Sequence, residues 1–178
     1  RQLWLHACAA SVAPFRTGSS AMAASNQFPS KRGSYFSIDA PSTELEEIPS
    51  AERFEERLRE VTNGELKGTG QIERLLQLGA EWLGIEGGHV FQIDPAEGTY
   101  EVTATAGPDP AISIGDATDL SSTYCRGVIA EGKALAIENA PKQGWERDPA
   151  YERFGCSSYL GGKVVVDGVL YGTVCFMG

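Results

Sequence analysis

Tyr151-Glu-Arg-Phe154-Gly-Cys156-Ser-Ser-Tyr159-Leu-Gly-Gly-Lys-Val164-Val-Val-Asp167-Gly168-Val169-Leu-Tyr171-Gly172-Thr-Val-Cys175-Phe176 is the stretch whose reading decides the fold. Asp167-Gly168 between two β-branched runs spells a two-residue hairpin, because a type I′ turn needs φ > 0 at both central positions. An unbroken register outward from that turn sets Val166 opposite Val169, Val164 opposite Tyr171 and Leu160 opposite Cys175 on one face. Val165 with Leu170, Gly161 with Val174 and Tyr159 with Phe176 then share the other face. Both faces are largely apolar, which predicts a hairpin central in a sheet that is covered on both sides.

Two amphipathic helices are expected upstream. Ser50 as N-cap and Glu52 in the first turn open one over 52–62, with Phe54, Leu58 and Val61 on one face and Asn63-Gly64 at its end. The other runs over 71–83, where Ile72, Leu75, Leu76, Leu78, Trp82 and Leu83 form a wide apolar band and Gly84 suits an αL cap. That band is wider than one sheet face requires. Leu78 and Trp82 are the surplus, and they predict a homodimer formed through helices 52–62 and 71–83.

Strands are expected at His89–Ile93 and at Tyr100–Ala106, the second alternating so that one of its faces is wet. Ser122 is placed to cap a short helix through Glu131, with Cys125, Val128 and Ile129 inward and Gly132 ending it. Leu135-Ala-Ile137 reads as a brief strand. Asp148 as N-cap, Pro149 at N1 and Gly155 at C′ frame another short helix that turns Tyr151 and Phe154 inward. The order helix–β–β–helix–β–helix–β–β predicts an α+β fold: a central antiparallel sheet of five or six strands with helices on both faces. Residues 1–50, rich in Ser, Ala, Gly and Pro without a period, are expected to be a disordered tail ahead of a domain at 51–178. The chain opens on Arg1, as a fragment or processed product would, and the apolar patch within 2–15 is too short and too interrupted by His6 for a signal peptide.

The chain carries 24 acidic and 15 basic residues, a net charge of −9. Beyond residue 70 there are 15 Asp/Glu against 7 Lys/Arg, a field that excludes a direct nucleic-acid surface because phosphate contacts need cations. It reads as a solvated acidic coat. Cys8, Cys125, Cys156 and Cys175 form no CxxC pair, and with only His6 and His89 beside them no metal site is expected. Reduced, scattered cysteines and the lack of a long apolar run predict a cytoplasmic domain without a membrane span.

Ser122-Thr-Tyr124-Cys125-Arg126, Leu135-Ala-Ile137-Glu-Asn-Ala140, Asp148-Pro-Ala-Tyr151 through Phe154-Gly155, Tyr159-Leu-Gly161, and Asp167-Gly168 through Tyr171-Gly172-Thr173 with Cys175-Phe176 together resemble a GAF domain, a PAS-related fold. The likeness is to GAF modules of prokaryotic sensor histidine kinases and sensor-type transcription regulators, including haloarchaeal ones. It spans roughly residues 52–178 and implies a small-molecule-sensing or regulatory module, non-catalytic by itself. Members of the family usually continue past Phe176 with another strand or helix, so a C-terminal element is expected beyond Gly178. The resemblance also puts the ligand between the sheet and the variable helices and loops. The residues it assigns to that space are Phe91, Cys125, Ile129, Trp145, Tyr151, Phe154 and Tyr159.

The family's better-defined sites do not carry over. Where bilin-binding members have a Cys-His pair, this chain has Glu146-Arg147, so no covalent bilin is expected. The cyclic-nucleotide signature is absent. His89 on a strand reads as a satisfied core histidine rather than a haem ligand. Two other readings stay open: a ligand-free dimerisation domain, and a thiol enzyme similar to the family's free methionine sulfoxide reductases. In that enzyme reading Cys125, at a helix N-terminus beside Arg126, is the thiolate and Cys156 its partner.

Overall fold

The turn forms as the sequence predicts. In the computed structural model Asp167 has φ 51° and Gly168 φ 78°, the left-handed pair of a type I′ turn. The structure describes residues 34–36, 49–94, 96–107 and 112–178. The strands are β1 (Ser34–Phe36), β2 (Gly87–Asp94), β3 (Thr99–Ala106), β4 (Ala117–Asp119), β5 (Ala134–Ile137), β6 (Tyr159–Val166) and β7 (Val169–Met177). They form one antiparallel sheet in the order β1-β5-β6-β7-β2-β3-β4, with the β6–β7 hairpin in its middle. Five of these are the expected strands. The extra two are three-residue edge strands, β1 and β4, too short to leave a pattern in the sequence.

The helices are α1 (Pro49–Asn63), α2 (Thr69–Leu83), α3 (Cys125–Glu131) and α4 (Pro149–Phe154). α1 begins one residue before Ser50, at a proline whose fixed φ and missing N–H suit a first turn. Ser50 is therefore inside the helix and not its cap. Gln71 closes the other end by donating from Nε2 to the Val61 and Thr62 carbonyls at 3.0 and 3.1 Å. Gly84, Gly132 and Gly155 adopt αL at the C-caps as read from the sequence. Ser122 is a second correction: it lies in a 3-10 turn, Leu120–Ser122, that Asp119 caps by accepting from the Ser121 N–H, and α3 starts after it at Cys125.

α2 covers one sheet face, where Leu76, Ala80, Ala104, Ala106 and Phe176 form a core. α3 and α4 close the other face over a larger core that includes Phe91, Tyr100, Val102, Leu135, Trp145, Tyr159 and Cys175. Two bulges decide which residues reach which core. Between β2 and β3 the register passes from Val90↔Ala104 to Phe91↔Val102, leaving Thr103 as the extra residue. The alternation of β3 therefore does not describe one dry face. Tyr100 and Val102 enter the larger core, while Ala104 and Ala106 enter the smaller one.

Leu78, expected to be surplus, is 1% exposed; Trp82 remains 41% exposed and stacks on Phe54 at 4.7 Å between ring centroids. The expected tail needs correcting at three residues. Ser34, Tyr35 and Phe36 pair with Ala136, Leu135 and Ala134, and Tyr35 packs on the larger core. The rest of 1–48 lies outside the described residues. Deleting residues 1–38 is expected to uncover the β5 edge and Leu135, costing about 2 kcal/mol, a fall of several degrees in melting temperature. Deleting 1–32 should leave it within a degree or two. Equal melting temperatures for the two truncations, read by circular dichroism, would remove β1 from the fold.

Candidate functional site

The decisive local feature is the second bulge. From Val165↔Leu170 the hairpin register passes to Val164↔Gly172, so Tyr171 is the extra residue. Past it every partner shifts by one: Cys175 faces Gly161 instead of Leu160, and Tyr159 faces Met177 instead of Phe176. The unbroken register read from the sequence is thus wrong beyond Tyr171. Because side chains alternate across a strand, the shift moves Thr173, Cys175 and Met177 to the face of Tyr159 and sends Val174 and Phe176 to the other. Two thiols and three hydroxyls meet there as a result.

Cys125, the first residue of α3, lies over that face. Tyr159 donates its hydroxyl to the Cys125 sulfur at 3.1 Å, and the Tyr100 hydroxyl pairs with Thr173 Oγ1 at 2.6 Å. Phe91 stacks on Tyr100 with centroids 4.1 Å apart. Burial would push the Cys125 thiol up, but the polar hydrogens of the Cys175, Thr173, Tyr100 and Tyr159 side chains around it bring it down to about 7. Cys175 is pushed the other way, by the neighbouring Cys125 and by burial. Burial also raises the Tyr100 and Tyr159 hydroxyls well above the usual tyrosine range, so both remain donors.

A shell of aromatic and polar contacts surrounds the cluster. Tyr124 meets Trp145 edge-on and donates its hydroxyl to the Cys156 carbonyl at 3.3 Å. Arg126 donates from Nη1 to the Thr123 carbonyl at 2.7 Å and from Nη2 to Asp148. Asp148 also caps α4, its Oδ1 accepting from the Ala150 N–H at 2.9 Å. One aspartate therefore fixes both the start of α4 and the residue after Cys125.

All seven residues that the resemblance assigns to the ligand space lie together here. Phe91, Cys125, Trp145 and Tyr159 are buried, and Ile129, Tyr151 and Phe154 pack against them half-buried. Tyr100, Thr173 and Cys175 were missed. Tyr100 had a signal in its inward phase on β3, but the other two reach the site only through the bulge at Tyr171. His89 is a core histidine as expected, with Nδ1 2.8 Å from Thr105 Oγ1.

The enzyme reading's low thiol does not come from Arg126. The Arg126 guanidinium is turned to Asp148, and neutral donors lower the Cys125 thiol instead. The Cys156 thiol points at the Phe154 carbonyl, 3.6 Å away. Among the described residues no group of three or more His, Cys, Asp or Glu is placed to hold a metal ion, and no helix is long and apolar enough to cross a membrane.

No family model matches the chain, and no curated protein matches it. Solved structures do. The GAF domain of an Acinetobacter phosphoenolpyruvate-protein phosphotransferase is similar at 19% identity and TM-score 0.56, over 72% of this chain and 76% of that one. The phycocyanobilin-bound GAF domain of a cyanobacterial phytochrome is similar at 14% identity and TM-score 0.55, over 70% and 79%. A free methionine-R-sulfoxide reductase from Neisseria meningitidis, in complex with its substrate, is similar at 12% identity and TM-score 0.55, over 72% of each chain. At these identities the likeness is one of fold. The antiparallel sheet with helices on both faces is that of a GAF domain.

Proposed function

We propose that this chain is a small-molecule-sensing or regulatory module of a cytoplasmic signal-transduction protein, non-catalytic by itself, of the kind found in prokaryotic sensor histidine kinases and sensor-type transcription regulators. The observation that carries the reading is the convergence of Tyr100, Tyr159, Thr173 and Cys125 inside walls made by Phe91, Ile129, Trp145, Tyr151 and Phe154. Apolar walls with a few polar groups aimed at one point are what fixes a small ligand. The polar groups satisfy one another in this structure, so a ligand enters by exchanging the Tyr159–Cys125 or Tyr100–Thr173 contact for its own. Support also comes from two solved structures of this fold, one bound to phycocyanobilin and one in complex with its substrate. For this chain a covalent bilin is not the expected ligand: Glu146 and Arg147, at the family's attachment position, are exposed on a turn.

A metabolite screen by thermal shift tests the reading. A ligand at 100 times its Kd stabilises by about 2.7 kcal/mol, a rise of roughly 5–10 °C for a domain this size. At least one compound is expected to give such a rise. A broad library with no effect would leave the alternative of a ligand-free dimerisation domain. The feature behind that alternative is the exposed Ile72 and Trp82 on α2, Trp82 lining a groove of about 220 Å³ with Arg53, Phe54, Arg57 and Glu81. It requires a sedimenting dimer that Leu58→Glu with Trp82→Glu dissociates.

A further inference from the structure

We propose that β1 is a releasable strap and that its Tyr35 is the plug closing the sheet-edge side of the larger core. The inference goes beyond the sensing reading and holds whether or not the core takes a ligand. Three observations carry it. The first is register. Tyr35 pairs with Leu135, Leu135 with Gly161, and Gly161 with Cys175. Directly paired residues share a face of the sheet. The row therefore sets the Tyr35 side chain on the face of Cys175 and Tyr159, at its outer end.

The second is packing. Four half-buried hydrophobic side chains pack around the margin of the core: Ile129 from α3, Tyr151 and Phe154 from α4, and Tyr35 from β1. The first three belong to the ligand space already described, and Tyr35 is the fourth. α3 lies across β5, β6 and β7, so Tyr35, one strand farther out, covers the flank of the helix. Behind it Leu135 is completely buried.

The third is how little holds β1 in place. It is three residues long, stands at the end of the sheet and pairs with β5 alone, whereas β6 and β7 each have a partner on both sides. Such an element opens without the rest of the domain. Residues 37–48 tether it to α1, so a released strap rebinds within its own chain. Release opens the core close to its polar cluster, because the Tyr159 hydroxyl lies over Gly161, directly opposite Leu135. Whatever holds Ser34–Phe36 away from β5 thereby opens a way to the Tyr159–Cys125 contact.

Amide hydrogen exchange of the full chain, followed by residue in NMR at rising urea below the unfolding transition, tests this. The hydrogen-bonded amides of Ser34–Phe36 are expected to be protected about thirtyfold, the equivalent of about 2 kcal/mol, with almost no dependence on urea. Those of β6 and β7 should exchange only through global unfolding, with the full urea slope. Tyr35→Ala is expected to speed exchange in Cys125–Glu131 by about tenfold relative to the β6–β7 hairpin, and Tyr35→Phe to leave it unchanged. Exchange of Ser34–Phe36 with the same urea slope as the hairpin would overturn the proposal, since β1 would then be an integral strand. Exchange at the rate of an unstructured peptide, or a Tyr35→Ala effect equal in α3 and the hairpin, would overturn it as well. Should Tyr35→Ala fail to fold, the wild-type urea series decides on its own.

Discussion

Replacing Asp148 with Ala is expected to destabilise the chain by about 3 kcal/mol, the low end of the cost of breaking a buried ion pair. The carboxylate has two roles. Its Oδ1 caps α4 through the Ala150 N–H, a contact worth about 1 kcal/mol. Its Oδ2 neutralises Arg126, whose side chain is only 18% exposed against 7% for Asp148. In the variant that guanidinium keeps its bond to the Thr123 carbonyl but loses the Asp148 carboxylate. The residual exposure of Arg126 lets water recover part of the loss, which is why the low end applies. Arg126→Met together with Asp148→Ala should regain most of the stability, since the guanidinium is then removed together with the carboxylate. Urea denaturation followed by circular dichroism measures both. A loss under about 1 kcal/mol for the single variant would mean that the pair contributes only as a surface ion pair does.

Gly172→Ala is expected to be worse, about 4 kcal/mol or more, and to yield largely unfolded protein. A Cβ at residue 172 would lie 1.8 Å from the Phe91 carbonyl oxygen and 2.8 Å from its carbon. These are backbone atoms of β2, the neighbour of β7 in the middle of the sheet. They cannot move aside without breaking the ladder that holds Gln92 against Gly172. The same residue follows the bulge at Tyr171, so the clash falls where β7 changes register. Gly70→Ala in the first turn of α2 is the control: its Cβ would meet only Leu66 Cδ2, at 3.8 Å, and the helix should gain a few tenths of a kcal/mol or more. A Gly172→Ala protein that melts within about 2 °C of the wild type would show that β2 and β7 do not approach this closely.

Much of the architecture was legible because it is written in local chemistry. The αL glycines at 84, 132 and 155, the Asp148 cap and the Asp167-Gly168 turn each depend on a conformation that few residues tolerate. Six of the seven residues assigned to the ligand space came together because they follow helical or strand phase within their own elements; Trp145 joins them from the connection ahead of α4. What could not be read depends on partners far away in sequence. Nothing in Thr103 or Tyr171 announces a bulge; each is the extra residue only because the neighbouring strand is packed in a fixed register. That is how Cys175, assigned by simple alternation to the face away from Tyr159, came to lie beside Cys125. β1 was invisible for a related reason. Ser34-Tyr35-Phe36 is a strand only because β5 offers it an edge, and its surroundings read as tail.

The central claim is that the face built by the Tyr171 bulge is the sensing face. Hydrogen exchange with and without the strongest compound from the thermal-shift screen tests it most directly. Protection is expected in Cys125–Glu131 and in the segment from Trp145 to Tyr159, with little change in Pro49–Asn63 and Thr69–Leu83. Protection confined to those two long helices would contradict it, and would move the functional surface to the groove at Phe54 and Trp82.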